Sequence, residues 1–369
     1  MTSSRWEFDA WRYPVSGTAI AQRNPTGNEL GLCAAENGTP CATAAGLRST
    51  RLRVGARGER LGLTRLRSNN LSAALRIGLI GLDTSHAVAF TEILNGRAAL
   101  ANGARVTCAF PGGAKDWPIS WSRIEGFTAK IKEFGVEVLA DLDAVAKKSD
   151  LIFITEVDGR MHRDFFEKVA RRRKPVFIDK PFATSSQDAE RMLALAGQAG
   201  IPLMSCSSLR YAEAFAKALA DDAKGAIVGV DVFGPMSLEA AAPGLFWYGV
   251  HGIEMVVRAM GAGCGAIQAT NREDGEVYTM QWKDGHLATY RGLRKAHSDF
   301  GAVIHREKGF QFVDVASGTK PYYASLLEAI LKTLPAGRSD VPPAEMLETV
   351  RIMEAGNKAR LTPGAAVTV

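Results

Sequence analysis

The sequence predicts an α/β domain built on a doubly wound, Rossmann-like parallel sheet, followed by an α+β domain with an open, mostly antiparallel sheet. Three observations carry this. After Leu75, short apolar runs alternate with longer amphipathic stretches, the rhythm of βαβ units. Beyond about Lys224 the rhythm changes to consecutive strands around a single apolar helix. The chain's 369 residues, 46% of them hydrophobic and 23% charged, are enough for two cores.

In the first part, Arg76–Leu82, Arg105–Phe110, Val136–Leu139, Leu151–Thr155, Pro175–Asp179 and Pro202–Ser205 read as strands. The stretches near His86–Asn95, Trp121–Phe134, Leu142–Lys148, Met161–Arg172 and Ser186–Ala199 read as the helices between them. In the second part the expected strands are Ile227–Phe233, Ala266–Thr270, Gly275–Trp282, His286–Arg291, Gly301–Arg306 and Gly309–Val315, with an apolar helix near Leu245–Met260. Two closing helices, Tyr322–Leu334 and Pro343–Lys358, are expected to pack back on the first domain. The domains are placed at 74–206 and 207–369, and the open second sheet is expected to pair with a copy of itself in a homo-oligomer.

Residues 1–73 are rich in Gly, Ala, Thr and Arg, lack Lys and show no sustained period of 2 or 3.6. They read as a disordered leader or a mispredicted start, not as a standard signal peptide, since no apolar core follows an early charge. This segment also explains the chain's charge. Of the net +6, residues 1–73 hold +5, which leaves +1 for the remainder. A basic arm over Arg48–Arg67 is the lesser alternative, and the folded part is expected to bind no nucleic acid. Apolar runs such as Ile77–Leu82 fall far below the ~20 residues a bilayer requires, so no membrane span is expected. Five scattered cysteines without CxxC spacing read as reduced thiols in the cytoplasm.

A sheet covered on both faces takes its ligands at the carboxyl ends of its strands. Lys180 stands at such an end, after an apolar strand and before Pro181, which stops the strand and makes a cis bond conceivable there. Partial desolvation there lowers a lysine's pKa and lets it share a substrate hydroxyl's proton; the plain alternative is a solvated lysine. His251 lies among Val250, Ile253, Val256 and Val257, either as a buried structural residue paired with Glu254 or as a proton acceptor. Gly81-Leu82-Asp83-Thr84-Ser85-His86 aligns with the GxGxxG turn whose backbone amides approach a diphosphate, but an acid fills the second glycine position. Either the dinucleotide is displaced there or the protein's own acid occupies the anion site, while Asp83, Thr84 or Ser85 caps the next helix. No acid follows the second strand at Cys108–Gly113; Lys115 and Arg123 downstream would favour NADP or are ordinary solvated cations. Arg210 and Tyr211 follow the last parallel strand as candidate substrate ligands. Trp247 and Tyr248 either stack on a sugar ring or belong to the core, and Gly234–Gly244 is expected to form a loop over the substrate.

Three segments in this order, Arg76–His86, Phe177-Ile-Asp-Lys-Pro181 and Trp247–Glu254, resemble the glucose-fructose oxidoreductase, inositol dehydrogenase and MocA family over about residues 75–369. That family has Glu-Lys-Pro where this chain has Asp179-Lys180-Pro181, and an aspartate where Trp247 stands. The resemblance implies a dinucleotide-binding first domain and a substrate and oligomerisation second domain. It further implies an NAD(P)-dependent enzyme that moves a hydride to or from a secondary alcohol of a sugar, polyol or related molecule. Lys180 and His251 would be catalytic. Gly81 to His86, Val157, His162, Asp179 and Lys180 would hold NAD or NADP, and Arg210, Tyr211, Trp247, Tyr248 and His251 would meet the substrate. The missing aspartate leaves two alternatives open: a retained cofactor used for transient oxidation in a hydrolase, lyase or epimerase, or an inactive sugar-binding relative. No metal is expected, because His251 and Glu254 lack a third ligand.

Overall fold

A computed structural model describes residues 74–96, 103–297 and 299–369, and Ala73–Val369 form one compact unit. The leader, the basic arm, Cys33 and Cys41 lie outside the described residues.

Six parallel strands open the fold: β1 (Arg76–Ile80), β2 (Arg105–Phe110), β3 (Glu137–Val138), β4 (Leu151–Ile154), β5 (Val176–Ile178) and β6 (Leu203–Ser205). Their order is β3-β2-β1-β4-β5-β6. This is the two-halved dinucleotide-binding order, and its direction reverses between β1 and β4. Helices cover both faces, so the strands are apolar without alternation. All four residues of β4 and all three of β5 are fully buried. Each such large side chain is stabilised by about 1.5–3 kcal/mol relative to exposure. Helix ends follow local capping chemistry. Asp141 and Ser185 accept backbone N–H groups at the starts of Leu142–Lys148 and Ser186–Ala199, and Gly200 ends the latter in a left-handed conformation.

The second sheet has seven strands in the order β12-β11-β7-β10-β9-β8-β13. They are β7 (Ile227–Pro235), β8 (Cys264–Arg272), β9 (Gly275–Trp282), β10 (Leu287–Leu293), β11 (Gly301–Arg306), β12 (Gly309–Asp314) and β13 (Val367–Thr368). Only β7 and β10 pair in parallel, so the expected mixed, mostly antiparallel sheet is present. One face packs on the helix Gly249–Met260, while Leu287, Phe310 and Phe312 stand on its exposed positions. Strand β13 and the helix Glu213–Ala220 escaped the sequence reading, the strand because two residues make no period.

The closing helices, Tyr322–Thr333 and Pro343–Ala359, return to the first sheet. Tyr323 packs its ring on His86 and Phe90, Met346 meets the Ser205 amide and Arg351 pairs with Glu190. A buried ion cluster ties the same layers. Arg210, 1% exposed, pairs with Glu254 at 2.9 Å and with Glu345, joining the end of the first sheet to two helices. Burial pushes the Glu254 carboxyl up and Arg210 pulls it back. Removing a single partner strands a buried charge. Arg210→Ala is therefore expected to cost about 3–5 kcal/mol in urea unfolding, whereas Arg210→Ala/Glu254→Leu should recover part of that loss.

Candidate active site

The site grows from the touching ends of β1 and β4. Gly81 has φ +100, and a Cβ there would lie 2.3 Å from the Glu156 amide nitrogen, so only glycine fits. Past it, Leu82 donates its N–H to Pro111 at 2.6 Å and Thr84 caps the helix Ser85–Asn95 by accepting the His86 N–H. Ser85 faces solvent. Asp83 does not cap. Its fully buried carboxylate accepts the Val157 N–H at 3.0 Å and the Ser120 hydroxyl at 2.7 Å. Beside it, the equally buried Glu156 accepts the Gly113 N–H at 2.8 Å. Burial first, then the adjacent Asp83 carboxylate, pushes the Glu156 carboxyl up to about 10, so it keeps its proton at neutral pH. The protein's own acid thus fills the inner side of the turn.

His86, at the third glycine position of the fingerprint, is also buried and anchored. Its Nδ1 lies 2.6 Å from Asp179 Oδ2. Burial opposes the Asp179 charge, but His86 and Lys180 outweigh it and hold that carboxyl below its ordinary value. The next peptide bond, Lys180–Pro181, is cis.

Lys180 is half-buried, with Nζ 5.9 Å from the centre of the Trp247 ring. Trp247 itself is 9% exposed, edge-on to Trp117 at 5.4 Å, and lies ahead of the helix that begins at Gly249. His251 is 3% exposed, flanked by the rings of Tyr248 and Phe300, with Nδ1 2.7 Å from the Ser207 hydroxyl. Burial first, then the charges of Lys180 and His86, drive this imidazole well below its usual range. It is neutral at neutral pH. In the tautomer that donates Nδ1–H to Ser207, Nε2 carries the lone pair that a proton acceptor needs.

The structure gathers Asp179, Lys180, His86, Trp247, Tyr248 and His251, but it places other sequence candidates elsewhere. Arg210 spends two guanidinium nitrogens on Glu254 and Glu345, and Glu254 pairs with Arg210 rather than His251. Tyr211 donates to Asp340 at 2.8 Å on a 340 Å³ surface cavity shared with Lys332 and Arg338. The 3-10 turn after β6 carries both, and their polar ends go to Glu254, Glu345 and Asp340. His162 is a fully buried strut, with Nδ1 2.9 Å from the Pro181 carbonyl and Nε2 2.8 Å from that of Glu156. Val157 reaches the turn through its backbone amide. Ser120 and Ser207 carried no motif; only the folded loops bring them in. Among the described residues, no group of three or more His, Cys, Asp or Glu is arranged for a metal, and no helix is long and apolar enough to cross a membrane.

Comparison with known proteins bears on these features. Residues 119–206 match the family model described as an oxidoreductase family with an NAD-binding Rossmann fold, the glucose-fructose oxidoreductase, inositol dehydrogenase and MocA family. Over this stretch the resemblance read from the sequence holds. No curated protein matches the chain. Among solved structures, GenD2 from gentamicin A biosynthesis, in complex with NAD, is similar with a TM-score of 0.66 at 17% identity, over 82% of this chain and 98% of that one. A probable dehydrogenase from Thermotoga maritima gives 0.67 at 17% identity, over 80% and 98%. The myo-inositol dehydrogenase from Lactobacillus casei, in complex with NAD(H) and myo-inositol, gives 0.64 at 16%, over 80% and 97%. At these identities the likeness is one of fold. NAD, one of the two expected cofactors, is the one in the family's description.

The residues present fit such a dinucleotide at the point where the strand order reverses. Gly81, where a Cβ would collide with Glu156, leads into the helix that starts at Ser85, the close-approach turn and helix N-terminus that such a group uses. The protonated Glu156 also has a measurable consequence. Its folded-state pKa, about 10, lies above the unfolded value near 4.5, so its stabilising contribution is complete below about pH 4.5 and is lost as pH rises toward 10. The slope is about 1.4 kcal/mol per pH unit at most. In urea unfolding between pH 6 and 9, wild type should lose more stability than Glu156→Gln; parallel losses would show that this carboxyl carries no buried proton.

Proposed function

We propose that this protein is a nicotinamide-dependent oxidoreductase that transfers a hydride to or from a secondary alcohol of a sugar, polyol or related small molecule. The observation that carries the reading is the placement of Lys180, at the carboxyl end of β5, over the Trp247 ring, with Tyr248 packed against both Trp247 and His251. Similarity to the inositol dehydrogenase of L. casei supports the choice of substrate class.

The Gly81–His86 turn, the Val157 segment, Asp179 and Lys180 would hold the dinucleotide, which when bound supplies the hydride acceptor or donor. The remaining chemistry falls to side chains. In the oxidising direction, Lys180 donates a hydrogen bond to the substrate oxygen and favours the charge that develops as its proton leaves. His251 accepts that proton at Nε2, with Ser207 holding the opposite nitrogen and so the ring's orientation. Asp179, tied to His86, keeps a negative charge beside Lys180. Trp247 offers an aromatic edge to the carbon face of a ring-shaped substrate. Because Lys180 meets solvent and His251 does not, substrate approaches from the lysine side.

Lys180→Ala and His251→Asn are each expected to lower kcat by about 10²–10⁴ with a polyol panel and NAD or NADP, while melting temperatures stay close to wild type. Calorimetry with no binding of either dinucleotide would remove the reading. For the second sheet we propose self-association through the face bearing Phe310 and Phe312. A native mass above one chain, reduced by Phe312→Lys, is the expected result; a monomer at every concentration excludes it.

A further inference from the structure

We propose that Asp83 weakens the grip of the first turn on a diphosphate, so that the dinucleotide is a rapidly exchanging co-substrate and not a retained prosthetic group. This deepens the functional reading above and rests on it.

A dinucleotide-binding turn holds its diphosphate with backbone amides at a helix start, and the second glycine of the fingerprint lets the backbone come close. Here that position bears a carboxylate with no cation paired to it. Its two oxygens accept the Val157 amide and the Ser120 hydroxyl, and the protonated Glu156 carboxyl is bonded to the same group. The hydroxyl is itself committed, since Ser120 Oγ also accepts the Ala114 N–H at 2.8 Å. The charges around the pair do not offset it. Glu156 contributes a neutral carboxyl, and Asp158 spends its charge on Arg160, which also reaches Asp116. On the helix side, His86 is engaged by Asp179.

The inner side of the anion site therefore holds two buried carboxyl groups that share one proton and have no cation beside them, and a diphosphate feels their negative charge through protein and not through water. At low effective dielectric such a charge outweighs a hydrogen bond or two. The third glycine position adds to the effect. His86, bonded to Asp179 at 2.6 Å, fixes the helix start, so the turn cannot swing away from Asp83 to relieve the repulsion. A cofactor that must remain bound through a catalytic cycle needs the opposite design.

The test is titration of NADH, by its fluorescence and by calorimetry, into the full-length wild type, Asp83→Asn and Asp83→Gly, with thermal melting to verify folding. Asn keeps the size of the side chain and removes its charge, and Gly restores the second glycine of the fingerprint. The expected results are a wild-type Kd above about 100 µM with no nicotinamide in the purified protein's native mass, and at least tenfold tighter binding in either folded variant, a change of about 1.4 kcal/mol. Equal Kd values in all three proteins overturn the proposal, and nicotinamide that co-purifies with the wild type overturns it without any variant. Wild type and variants that all fail to bind NADH or NADPH remove the functional reading itself.

Discussion

The close approach of β1 and β4 at Gly81 and Glu156 is the constraint on which the rest of the site depends. Two parallel strands diverge past their last paired residues, and the crevice they leave is normally open to ligand. In this chain the turn has no room for a Cβ, and the space beneath it is taken by two carboxyl groups. Two full charges cannot share such a place, so one carboxyl keeps its proton and the other draws on an amide and a hydroxyl. Loops after β2 and β4 are held to the turn as a consequence. The Gly113 amide reaches Glu156, the Ser120 hydroxyl reaches Asp83, and the Trp117 ring is brought against Trp247.

That same layer of contacts connects the two sheets. Trp117 comes from the first and Trp247 from the entry to the second domain's helix, with Lys180 over the indole. Arg210, Glu254 and Glu345 lock the opposite flank. Between these two struts His251 is buried next to a lysine, an unfavourable place for an imidazolium and a good one for a neutral base. The cluster's electrostatics are thus a by-product of packing.

The departures from the family pattern share one physical character. Where a fingerprint glycine would leave space, Asp83 and His86 fill it and find partners within the protein. Where an aspartate would stand one turn before His251, Trp247 supplies an apolar wall. Each replacement exchanges an interaction with a ligand for one within the chain.

Strand and helix order, the change of rhythm near Lys224, the Lys180 strand end and the apolar surroundings of His251 were legible in the residues alone, because burial on two faces or one imposes its own period. Thr84 as a helix cap was one of three readable options, since Asp, Thr and Ser all serve; the choice waited on which side chain was pulled inward. Partners far apart in the chain were not legible. Ser207 on His251, Ser120 and Val157 on Asp83, and the capture of Arg210 by Glu345 are decided by loop paths across 37 to 135 residues. No local pattern encodes such distances. Arg210 looked like a substrate ligand because a guanidinium after a strand is the same word in either setting; only the tertiary structure, by setting Glu254 and Glu345 against it, gave it two partners within the chain.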